Sequence, residues 1–189
     1  MSDARDFILV LVAEGVGTGI IFDGQIYRGE GGAAGEFGHM IIGSLAPVPC
    51  SCGNRDCWEA FSSERAAMAR YLKRSRKENS AAFGFRELVD QALGGEADAK
   101  AALVDTGLCL GIGISNLVVG FSPEAVVVGG EIARAWPLVE DALRETMENS
   151  VRRGLPSAAI LPSTLGEKPT VRGALSLVLA SKFAAAFAA

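Results

Sequence analysis

The chain has 189 residues, 49% apolar and 21% charged, proportions of a sequence that buries a core rather than staying disordered. Its longest unbroken apolar run has seven residues, against about 20 for a membrane span, and its start, with Arg5 between acidic neighbours, is no secretory signal. A net charge of -4 argues against nucleic-acid binding by this piece itself.

Residues 7–13, FILVLVA, form a short β-branched run closed by Glu14 and Gly15, and read as a buried strand. Residues 19–22 and 25–28 flank Asp23-Gly24, a pair suited to the positive φ angles of a tight hairpin, so the chain opens as an antiparallel three-stranded meander. Residues 29–38 are a glycine-rich loop and 39–43 a short extended piece. Pro47, Pro49 and three cysteines then exclude regular structure to about Cys57. Helices are expected over 63–77, 85–93 and 96–119. The third carries Leu103, Leu110, Ile114 and Leu117 at helical spacing, with Gly107 and Gly111 four apart to admit another backbone. Residues 124–128 read as a buried parallel strand ending in Gly129-Gly130. A helix over 132–151, a strand over 158–161 and a last helix from about Thr170 complete the chain. Three antiparallel strands and two βα units make an α/β fold: a mixed five-stranded sheet with helices on both faces, in one domain over residues 1–189.

The unusual composition is concentrated in the first third. Eleven of the 23 glycines lie between Gly15 and Gly53, and the single histidine, His39, stands just upstream of Cys50, Cys52 and Cys57. Three thiolates and one imidazole are a closed four-ligand set of the kind that holds structural zinc. The alternatives are reduced, unligated thiols and disulfides. The cysteines sit among polar loop residues rather than in a core pattern, and Cys50 and Cys52 are too close in sequence for ordinary disulfide geometry. Cys109, inside an apolar helix, reads as a core residue. Glu14-Gly15-Val16-Gly17-Thr18-Gly19 is a β-turn-β glycine loop, able to bring backbone N–H groups to a phosphate or simply to form a tight hairpin.

Taken in order, Gly15-Val16-Gly17-Thr18-Gly19, Ala34-Gly35-Glu36-Phe37-Gly38-His39 and Cys50-x-Cys52-Gly53-x3-Cys57-Trp58-Glu59 resemble the ROK family of bacterial sugar kinases and sugar-responsive repressors. Pro123 to Gly130, Leu165-Gly166 and Arg172-Gly173-Ala174 extend the resemblance over nearly the whole chain. It implies the C-terminal, zinc-carrying lobe of an actin-like ATPase (ribonuclease H-like) fold, with the zinc loop at 39–57. The N-terminal lobe and any helix-turn-helix would lie outside this chain. On matching positions the resemblance makes His39, Cys50, Cys52 and Cys57 the zinc ligands. It makes Glu36, His39 and Glu59 the residues that bind sugar hydroxyls, a task an ionised carboxylate suits because it accepts from two neighbouring hydroxyls. Gly15, Gly17, Gly19, Gly129 and Gly130 fall where nucleotide phosphates bind.

Two departures separate this chain from the kinases. The Asn-Asp pair whose aspartate takes the proton from the attacked hydroxyl belongs to the other lobe and has no equivalent here. The phosphate loop carries Ala13-Glu14 where a Gly-Thr pair is usual, placing a carboxylate where a hydroxyl would meet a polyphosphate. The expectation is therefore the effector-sensing domain of a transcriptional regulator, with a C-terminal kinase lobe as the alternative. A small sugar or amino sugar is its effector, and DNA is reached only through an N-terminal domain. A homodimer or tetramer in the cytoplasm is expected, with no membrane contact. The apolar face of the long third helix is a candidate surface for self-association.

Overall fold

The computed structural model describes residues 4–76, 83–150, 158–166, 171–173 and 175–176. Strand β1 (Phe7–Val12) is the centre of a five-stranded sheet ordered β3-β2-β1-β4-β5. Strands β2 (Val16–Phe22) and β3 (Gln25–Ile26) continue antiparallel on one side. On the other, β4 (Ala125–Gly129) and β5 (Ala159–Pro162) run parallel. The mixed α/β sheet read from the sequence is the one observed. Alternation decides its burial: Ile8, Val10 and Val12 are wholly buried with Ile20, Val126, Val128 and Ile160, whereas Phe7, Leu9 and Leu11 on the opposite face are half-buried.

Three boundaries differ from expectation. Strand β2 begins at Val16, because the pairs Val12↔Val16, Leu11↔Gly17 and Leu9↔Gly19 carry the ladder straight through the glycine run. Gly17 and Gly19 are thus strand residues, and the turn shrinks to residues 13–15, where the Ala13 N–H donates to the Gly15 carbonyl at 2.9 Å. The ladder outweighs the weak strand preference of glycine. Strand β3 stops at Ile26, and the chain turns off through Gly29 at φ +65°. The piece expected as extended over 39–43 keeps only one isolated bridge, Ile41 to Cys57.

Helices α1 (Trp58–Ser62), α2 (Glu64–Ser75), α3 (Phe85–Leu93), α4 (Ala97–Phe121) and α5 (Trp136–Ser150) follow. Helix α1 has no counterpart in the sequence reading. Residues Glu131–Ala135 form a 3-10 turn where the helix over 132–151 was expected to begin. Most of the last expected helix lies outside the described residues. By length and composition α4 could cross a membrane, but Leu103, Leu110, Ile114 and Leu117 are all buried in the core. That burial corrects the proposed self-association surface, since the apolar stripe is already covered by this chain. The paired glycines act as expected. A Cβ at Gly107 would lie 2.9 Å from the Val139 carbonyl oxygen and one at Gly111 2.5 Å from that of Leu143, so two positions four apart on α4 meet two on α5. Gly113 likewise makes room for the Trp58 indole, whose Nε1–H donates to the Cys109 carbonyl at 3.0 Å.

Candidate metal and ligand site

Glycine geometry sets the position of the loop that carries Glu36 and His39. Residues Glu36–His39 form a 3-10 turn entered through Gly35 at φ +98°. A Cβ on Gly35 would fall 2.4 Å from the Thr18 carbonyl oxygen, and one on Gly38 2.0 Å from that of Val16. The turn therefore lies directly on the β2 backbone, and the Thr18 hydroxyl fastens it by donating to the Gly35 carbonyl at 2.5 Å. This is why glycine recurs at 35 and 38 around the two polar side chains.

The four residues expected to bind metal meet at one point. A ring nitrogen of His39 and the Sγ atoms of Cys50, Cys52 and Cys57 all lie within 4.8 Å of one another. His39 Nδ1 is 3.3 Å from the Cys50 sulfur, and the Cys52 and Cys57 sulfurs are 3.6 Å apart. Ideal tetrahedral coordination at ordinary zinc bond lengths puts sulfurs about 3.8 Å apart and nitrogen about 3.6 Å from sulfur. Both short separations lie near these values, so the donor set suits a small tetrahedral ion and the cluster could hold a metal. Electrostatics agrees. Burial raises the Cys50 thiol, while burial and then the neighbouring thiols push Cys57 up to about 12. Cys52, at the surface, is lowered chiefly by the Asn54 backbone N–H. Three crowded sulfurs resist becoming thiolates together unless a cation balances them.

Glu36, His39 and Glu59 are brought to the same cluster but face different sides of it. His39 Nε2, the nitrogen turned away from the sulfurs, is 3.6 Å from Glu36 Oε2, and the Glu36 side chain is 73% exposed. Glu59 is only 8% exposed. Its Oε2 accepts from the Val16 N–H at 3.2 Å, and Oε1 is 3.4 Å from both the Cys50 sulfur and the Ser51 hydroxyl. Gly15 is what allows this approach, because any Cβ there would overlap the Glu59 carboxylate. One residue missed in the sequence ties the assembly together. Arg65, at the start of α2, ion-pairs with Glu59 Oε1 at 3.7 Å and donates to the carbonyls of Glu14 at 3.2 Å and Pro49 at 3.4 Å. No motif marked it, since it acts by tertiary position alone.

Gly15 in the β1–β2 turn and Gly129-Gly130 at the end of β4 sit at the carboxyl ends of adjacent strands, because Leu11 pairs with Gly129. Gly130 lies at φ +102°, pressed on the Val12 backbone. The same end collects acid. Burial raises the Glu64 carboxyl, with Glu131 and Glu14 adding to the rise, so three carboxylates share the neighbourhood. Cys109 departs from the core role expected of it. It is half-buried and accepts from the Arg70 guanidinium at 3.2 Å, and burial raises its thiol.

Glu36 and His39 also line a pocket of about 650 Å³, walled otherwise by Ile20, Tyr27, Phe37, Met40 and Phe121 among others. Glu59 does not reach it.

A family model described as "ROK family" matches residues 1–181. The xylose repressor of Bacillus subtilis (strain 168) is 33% identical over 175 residues, covering 92% of this chain and 44% of the repressor. The glucokinase of Halalkalibacterium halodurans is 28% identical over 181 residues, covering 90% of this chain and 55% of the enzyme. Among solved structures, a ROK family glucokinase from Streptomyces griseus in complex with glucose and AMPPNP superposes with a TM-score of 0.83 at 27% identity, covering 93% of this chain and 61% of that one. The chain spans less than half the length of the xylose repressor and under two thirds of either glucokinase.

Proposed function

The chain belongs to the ROK family, and on that premise we propose that it is the zinc-stabilised, sugar-sensing lobe of a transcriptional regulator. One observation carries the regulator over the kinase: Glu14 stands in the β1–β2 turn beside Gly15, at the strand ends where Gly129 and Gly130 also sit and where a polyphosphate would have to lie. Like charge there opposes nucleotide binding, and Glu14 offers no hydroxyl donor. The kinase reading is favoured instead by the likeness to the glucokinase that holds glucose and AMPPNP.

Bound through His39, Cys50, Cys52 and Cys57, zinc would tie the loop to α1 and contribute folding energy rather than reaction chemistry. With Nδ1 engaged, the His39 imidazole carries its proton on Nε2 and presents a donor toward Glu36 or a sugar oxygen. Glu36 accepts from hydroxyls at the exposed side, and Glu59, fixed by Val16 and Arg65, does so from the inner side. The effector is a small sugar or amino sugar. DNA contact is made by a domain outside these residues, and the regulator works as a homodimer or tetramer.

The test is a pair of measurements on the complete protein that carries this chain. Calorimetry against xylose, glucose and N-acetylated amino sugars should give heat for at least one of them. A coupled assay with ATP should give no phosphorylation of any. Turnover above background in the second measurement overturns the regulator reading.

A further inference from the structure

The start of α2 is pinned to the β1–β2 turn at two successive residues. The Glu64 N–H donates to the Ala13 carbonyl at 2.9 Å, and Arg65 Nε donates to the Glu14 carbonyl at 3.2 Å. Together they fix where the guanidinium points. Its Nη2 donates to the Pro49 carbonyl at 3.4 Å and lies 3.7 Å from Glu59 Oε1. We propose that Arg65 is a positioning residue that relays the state of the metal loop to Glu59, so that metal occupancy sets how firmly this carboxylate is held. The inference rests on the proposed metal and sugar roles of the site and adds the residue that links them.

The loop end of the relay is set by chain order. Pro49 directly precedes Cys50, one of the four residues that could hold the metal. Residues 50–54 are closed on themselves, since the Cys50 N–H donates to the Asn54 carbonyl at 3.0 Å and the Gly53 N–H to the Cys50 carbonyl at 3.2 Å. A loop that closes on an ion, or opens without one, therefore carries the Pro49 carbonyl with it. The guanidinium is a rigid planar fork. With Nε tied to the turn, a displacement at Pro49 passes to the other partner of Nη2, which is Glu59. That carboxylate has weak substitutes for Arg65. It is buried, and the remaining neighbours of Oε1 are a thiol, which is a poor donor, and a hydroxyl at the long distance of 3.4 Å. A buried carboxylate that loses its cationic partner is held less firmly. The far end of the relay can be read directly, because Glu59 Oε2 accepts from the Val16 N–H at 3.2 Å. Exchange of that amide reports the position of the carboxylate whether or not a sugar is bound.

Hydrogen exchange of the complete protein, resolved to the Val16 amide by mass spectrometry, tests this with zinc bound and after chelation. The amides of β4 are the control for global opening. In the parent, chelation should speed Val16 exchange about fivefold or more, the low end of coupling between sites, and leave β4 unchanged. Arg65→Ala should keep its full zinc content yet exchange at Val16 as fast as the stripped parent, with no further rise on chelation. Arg65→Lys keeps the charge but lacks the fork, and should behave as Arg65→Ala does. A sugar that the parent binds in calorimetry should bind Arg65→Ala about fivefold more weakly or worse. If the parent binds no sugar, the sugar-sensing reading fails, and Val16 exchange alone decides the relay. The relay is overturned if chelation leaves Val16 unmoved in the parent, if β4 speeds up with it, if Arg65→Ala loses its zinc, or if either variant keeps the parent's response to chelation.

Discussion

Gly38→Ala should uncouple the polar loop from the sheet. Cβ atoms hardly ever approach another heavy atom within 3.0 Å, yet one built on Gly38 lies 2.0 Å from the Val16 carbonyl oxygen. Either the loop or β2 must therefore shift by about 1 Å. β2 is held in register by its ladder to β1, so the loop yields, and His39 moves with it. Metal-ligand distances tolerate only about 0.2 Å, so the imidazole leaves the tetrahedral position and metal affinity collapses. Overpacking of this kind costs about 1 to 3 kcal/mol, which for a domain of this size lowers Tm by roughly 2 to 12 °C. Gly17→Ala is the matched control, since a Cβ there meets nothing within 4 Å. The assay is zinc content by mass spectrometry after loading and dialysis, the cobalt-substituted absorption spectrum, and a melting curve on each variant. Equal melting temperatures and full metal content in both variants would refute the close-approach argument.

Other perturbations probe different parts of the same structure. Gly113→Ala drives a methyl group into the Trp58 indole; it should cost about 1 to 3 kcal/mol and shift the tryptophan emission to the red as the ring is expelled. Glu59→Gln keeps an acceptor for the Val16 N–H but removes the charge facing Arg65, so sugar affinity by calorimetry should fall at least about tenfold with little change in melting. Glu64 holds its proton more tightly in the folded state than in the unfolded one. Its contribution to stability is full below the ordinary carboxylate range, roughly pH 4, and is lost as pH rises through the raised value. Glu64→Gln should thus melt higher than the parent at pH 7, and the two curves should converge on acidification to that range. Ser63→Ala removes the acceptor for the Ala66 N–H at the start of α2 and should cost about 1 kcal/mol in denaturant melts.

The sheet was legible because its signals are local. The β-branched run at 7–12, the Asp23-Gly24 turn and the strand ending in Gly129 each follow from a few adjacent residues. The paired glycines of α4 could be read as a close-approach site, though not which helix they would meet. The candidate metal-binding group was legible for a different reason: three cysteines within eight positions and one histidine are a chemical inventory that few other arrangements use. What escaped the sequence were features whose cause lies far along the chain. Gly17 and Gly19 looked like a turn because their neighbours are glycines, but pairing with Leu11 and Leu9 makes them strand. The apolar stripe of α4 looked available until α5 and the helices before it covered it. Arg65 carries no motif and gained its place at the centre of the site only by folding.

The sequence by itself determined the strand order along the chain, the four side chains that could hold a metal and the acid set into the glycine loop, since each is a property of residue type and short spacing. Tertiary structure alone decided that Gly35 and Gly38 press the polar loop onto β2, and that Glu59 is anchored by a backbone N–H 43 residues away. It alone set Glu64 and Glu131 beside Glu14 and Tyr27 beside Glu36. These are relations between distant positions, and they exist only once burial of the core has fixed which surfaces meet.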